Sequence, residues 1–149
     1  MRKTYAALTT GSLALAAVAG PLVAHHAFGA EFDRDDPLRL QGRIVKLEWV
    51  NPHTWIHLEV PGEDGAGVVW MVEGGTPNVL LRRGLRRDCL VPGTEIIVDG
   101  YRAKNKTLYR ANGRDVTFTD GTKIFMGSVG TGAPDEQERA RQRQEQGRC

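Results

Sequence analysis

The amino-acid sequence predicts an all-β domain with one short helix, arranged as a small Greek-key barrel of the OB type. Three observations carry this expectation. Apolar residues alternate at period two over several short stretches, as half-buried strands require. Pro-Gly and Asp-Gly punctuation separates the stretches at spacings suited to hairpins, and a single helix signal falls between the third and fourth of them. Three strands, a helix and two further strands or a hairpin is the OB order of elements, although a roll or a small sandwich shares the pattern.

Ahead of the domain, Arg2 and Lys3 precede an uncharged, mostly apolar run from Tyr5 to Ala19, and Gly20-Pro21 then breaks any helix before Leu22-Val23-Ala24. These features are those of a secretory signal peptide, residues 1–24, cleaved after Ala24, and they predict a periplasmic or secreted protein. The apolar run is shorter than the ~20 residues of a spanning helix, so no stable membrane span is expected after cleavage. About 125 residues remain, enough for one modest domain at 25–130 and a polar tail at 131–149. The formal charge of +2 falls to about zero without Arg2 and Lys3, so no overall field recruits nucleic acid.

Asp33, Asp35 and Asp36 form a solvated lead-in to the first strand; they lack the Gly and bidentate Glu of an EF-hand loop. That strand is expected from Leu38 to about Trp49. Leu38, Leu40 and Ile44 keep one parity while Val45, Leu47 and Trp49 take the other, which calls for a bulge at Ile44-Val45. Asn51-Pro52 makes a turn, after which Ile56, Leu58 and Val60 point inward and His53, Trp55, His57 and Glu59 share the opposite face. Pro61 to Gly65 closes a hairpin into a buried strand, Val68 to Val72.

The helix begins at Thr76, a good N-cap, with Pro77 at its first position; Val79, Leu80 and Leu81 supply its apolar side and Gly84 its exit. Leu85 to Leu90 adds a turn before Pro92-Gly93. A fourth strand follows from Glu95 to Tyr101 and a fifth around Leu108 to Ala111, and Val116–Thr119 pairs with Thr122–Phe125 across Asp120-Gly121. Without an apolar stripe to bury, the tail is expected to be disordered or a frayed polar helix. Two cysteines, Cys89 and Cys149, leave three outcomes open: one bridge, free thiols, or a link between chains.

Several segments together resemble a family of uncharacterised exported bacterial proteins built on a domain of unknown function. These are His25-His26-Ala27-Phe28, Trp49-Val50-Asn51-Pro52-His53, Glu73-Gly74-Gly75-Thr76-Pro77-Asn78, Gly100-Tyr101-Arg102-Ala103 and Ala111-Asn112-Gly113-Arg114. The resemblance implies common descent over nearly the whole mature domain. It carries no activity.

All four histidines lie in two places, His25-His26 at the expected new N-terminus and His53 with His57 around the Asn-Pro turn. Imidazole is the commonest metal ligand, and an N-terminal histidine chelates through both amine and ring. His53 and His57 would stand roughly 13 Å apart in one regular strand, too far for a single ion. The expected set is therefore His25 with His26 or His53, His57 serving as a further ligand or a supporting group. Copper is the expected metal, because nitrogen donors dominate and no thiolate cluster is present.

A second expectation is a binding module for a small ligand, carbohydrate or peptide, using Trp55 on the second strand together with Trp49, Asn51 and Glu73. The helix arginines Arg82, Arg83, Arg86 and Arg87 are expected to be a solvated face. Nucleophile elbows, phosphate loops and His-Glu-x-x-His or Cys-x-x-Cys motifs do not occur, so a non-catalytic role is favoured.

Overall fold

A computed structural model of the chain describes residues 26–62, 64–127 and 149. The expected signal peptide, His25 and the tail up to residue 148 lie outside the described residues. The helix α1 (His26–Glu31) leads into β1 (Phe32–Glu48), followed by β2 (Trp55–Pro61), β3 (Gly67–Glu73), α2 (Pro77–Arg82), β4 (Glu95–Ala103), β5 (Arg110–Phe118) and β6 (Lys123–Phe125). Neighbouring strands run β3-β2-β1-β4-β5-β6, and a further parallel pairing of β3 with β5 closes five strands into a ring. All the other pairings are antiparallel. Three strands, a helix and two strands with a hairpin is the order that the alternation predicts.

Inside the ring lie Leu40, Ile44, Ile56, Leu58, Val72, Ile96, Val98, Ala111 and Val116, with Leu80 from α2 and Leu85, Leu90 and Met126 completing the core. Each Val, Leu, Ile or Met side chain among them contributes roughly 1.5–3 kcal/mol through burial. Helix α2 starts as expected: the Val79 N–H donates to Thr76 Oγ1 at 3.4 Å, and Pro77 occupies the first turn. Gly84 follows at φ 85°, where a side chain would be strained. The apolar side is narrower than expected, since Leu80 is buried while Leu81 remains 48% exposed.

Four local expectations are corrected. The first strand starts at Phe32, because Phe28, Phe32, Tyr101 and Ala103 form a second small core that anchors it early. Its register against β4 slips between Phe32 and Pro37, so the acidic stretch bulges out and meets Lys106, 2.5 Å from Asp36 and 3.4 Å from Asp33. Ahead of it lies α1, a second helix whose six residues are too few to show a period. The bulge at Ile44 is present, but Val45 is the extra residue and stands 40% exposed instead of facing inward. Finally, the two segments read as a fifth strand and a hairpin arm are one strand, β5, with Leu108 left exposed in the loop before it.

Gly100 and Gly113 explain the last error. They face each other across β4 and β5 beside a register slip that breaks the alternation in the sequence. A Cβ on Gly100 would stand 2.2 Å from the backbone oxygen of Asn112, and one on Gly113 would press on Val72 and Met126 at 2.8–3.0 Å. We expect Gly100→Ala to cost about 2 kcal/mol by forcing the strands apart, read as a shift in the urea midpoint. An unchanged midpoint would mean that the ring tolerates widening at this seam.

Candidate functional site

The ring register assembles one row of outward residues. Trp55 on β2 pairs with Glu48 on β1 and with Glu73 on β3; Glu73 pairs with Asn112 on β5, which pairs with Tyr101 on β4. Directly paired residues share a face, so distant parts of the sequence meet in one band. Helix α1 docks on its β4–β5 end. Phe28 stacks edge-on against Tyr101 at 5.5 Å, the Lys104 N–H donates to the Glu31 carbonyl at 2.8 Å, and the Lys104 ammonium caps the Gly29 carbonyl. Phe28 is thereby tied to this band.

His53 sits in the turn before β2, next to the cis Asn51-Pro52 bond, and its ring folds toward the start of α2. Its Nδ1 lies 2.9 Å from Glu73 Oε1 and 3.3 Å from the Gly74 carbonyl oxygen. A carbonyl only accepts, so this contact places a proton on Nδ1, and in the neutral ring it is Nε2 that carries the lone pair for a metal. Backbone bonds hold the cradle: Thr54 N–H donates to Gly75 O at 3.1 Å and Gly74 N–H to Thr54 O at 2.7 Å. Glu73 is buried, and desolvation raises its pKa above the usual carboxylate value, an effect that the nearby His53 opposes and Glu31 reinforces.

His57 makes the mirror-image pair on the other side of β2. Its Nε2 lies 2.9 Å from Glu48 Oε1, and Glu48 also accepts from Lys46 at 2.6 Å. The Lys46 and His57 hydrogen bonds, in that order, lower the pKa of Glu48. The two histidines thus turn to opposite neighbours, His53 toward β3 and His57 toward β1. No group of three or more His, Cys, Asp or Glu side chains able to hold a metal occurs among the described residues.

Trp55 is not an open platform. The Arg110 guanidinium lies over its ring at 4.7 Å and reaches Glu31 of α1 at 3.0 Å. Trp49 packs half-buried against the core, and Asn51 is exposed in the turn. Sequence reasoning missed Arg110, Glu31, Glu48 and Tyr101. Of these only Glu48 carried a usable signal, since a hairpin through Asn51-Pro52 sets it diagonal to His57.

The chain belongs to a family of unknown function (DUF6152), whose pattern matches residues 13–111. The match bears out the resemblance to a domain of unknown function. No curated protein and no solved structure matches the chain. None of the helices among the described residues is long and apolar enough to cross a membrane.

Proposed function

We propose that this chain is an exported, non-catalytic accessory protein of the periplasm or extracellular medium that binds a metal ion, copper by preference, through histidines. The observation that carries the reading is the His53–Glu73 pair. A histidine whose Nδ1–H is held by a carboxylate and a carbonyl presents Nε2 outward in the orientation that metal-bound histidines adopt. One imidazole is too few ligands. The remainder would come from His25, through ring and new amino terminus, and His26, which in sequence lie just before Phe28, a residue packed on the band that carries Glu73. His57, directed to Glu48, supports the β1 side of the face or holds a second, weaker ion.

The alternative reading, a face for a small ligand, carbohydrate or peptide at Trp55, requires Arg110 to leave the indole ring first. That cost favours the metal.

Copper(II) titration of the processed protein, its N-terminus verified by intact mass, tests the proposal beside a form with one extra residue before His25. We expect one-to-one binding that the extension weakens by about 100-fold, since it removes the amine from the chelate. Equal binding by both forms would sink the amino-terminal site.

A further inference from the structure

A cavity of about 710 Å³ opens between the bulge of β1 and the connection from α2 to β4, and it meets the histidine face at Lys46, the cross-strand partner of His57. Its apolar wall is made by Val45, Leu47, Leu81, Leu90, Val91 and Pro92. Val45, Leu81 and Val91 are 40%, 48% and 49% exposed, so the fold directs three large apolar side chains into one open trough. Scattered apolar residues are ordinary on a surface; a concave convergence of this size is how ligand sites are made.

The polar side of the trough is cationic. Lys46, Arg86 and Arg87 line it against one carboxylate, Asp88. Asp88 is already neutralised by Arg86, at 2.9 and 3.1 Å through two nitrogens, and Lys46 is held by Glu48. Arg87 has no acidic partner among the described residues. The lining therefore combines an apolar floor with one guanidinium at its rim, Arg87, that no carboxylate among the described residues compensates, and guanidinium binds carboxylates in a two-pronged geometry.

We propose that this trough binds a free single-chain anionic amphiphile, a fatty-acid-like molecule. Its alkyl chain lies along Val45, Leu81 and Val91, and its carboxylate meets Arg87. The bulge serves this site directly. By turning Val45 outward from β1 it supplies the apolar floor that a regular strand would have sent into the core or replaced with a polar residue.

The test is titration of the full chain with laurate, followed by calorimetry, beside dodecyltrimethylammonium, which has the same alkyl chain and the opposite charge. One saturable laurate site is expected, weakened about 10-fold or more in Arg87→Glu, the value of a lost charge-assisted contact. The cationic amphiphile should bind at least as poorly to the native protein. Val45→Asp should abolish the site, and Leu81→Asp on the opposite wall should do the same, so misfolding of one variant does not blunt the result. Equal affinity for both amphiphiles, indifference to Arg87→Glu, or binding only to phosphatidylglycerol vesicles and not to laurate would each overturn the proposal.

Discussion

Glu73→Gln is expected to make the protein more stable near neutral pH and a poorer metal binder at the same time. The two effects share a cause. Burial raises the Glu73 pKa, so the folded chain binds that proton more tightly than the unfolded chain does. A carboxyl shifted in this direction destabilises the fold above its raised pKa, and the penalty disappears as pH falls through that value toward the ordinary one. Glutamine is neutral at every pH and removes the penalty. The Gln variant should thus unfold at higher urea than the native chain at neutral pH, and the two midpoints should converge under acid conditions.

The amide oxygen of Gln can still accept the Nδ1–H of His53, so the ring keeps its orientation. What it loses is the negative charge that makes the imidazole a better donor. Loss of such a supporting carboxylate costs roughly 10–100-fold in metal affinity. Copper titration and urea unfolding of the same variant check both halves. A lower midpoint at neutral pH would show that the contact of the Glu73 carboxylate with His53 outweighs desolvation, and unchanged affinity would remove Glu73 from the metal site.

Much of the frame was legible in the sequence because it depends on local rules. Parity along β2, the Thr76 cap, the Asp120-Gly121 hairpin and the bulge at Ile44 are each decided within a few residues. What was not legible depends on register between strands far apart in the chain. His53 meets Glu73 twenty residues away only because β2 and β3 pair as they do, with Trp55 opposite Glu73. Arg110 reaches Trp55 through the parallel pairing of β3 with β5, and no local pattern announces a parallel seam. Helix α1 was hidden for another reason. It is one turn and a half long, and tertiary packing of Phe28 holds it where propensity cannot.

The cysteine bridge is the second place where a large effect is expected. Cys89 and Cys149 are joined, which decides among the outcomes that spacing left open. Cys149 is the final residue of a segment expected to be polar and unanchored, yet it packs against the main core and its N–H lies 3.3 Å from the Gly84 carbonyl. With its ends 60 positions apart in the sequence, the bridge restricts the unfolded chain by up to about 4 kcal/mol in the loop-entropy account. Cys89→Ser and Cys149→Ser should therefore each lower the stability of the domain by a comparable amount, measured by urea unfolding, and reduction of the native chain should reproduce the loss. If Cys149→Ser is nearly silent while Cys89→Ser is not, the cost belongs to packing of Cys89 within its turn and not to the bridge. The same variants bear on location, because a stability that depends on this bond is realised only in an oxidising compartment. Copper affinity should be unchanged in both, since neither cysteine touches the band that carries His53, and a parallel loss of copper would tie the tail to the metal site.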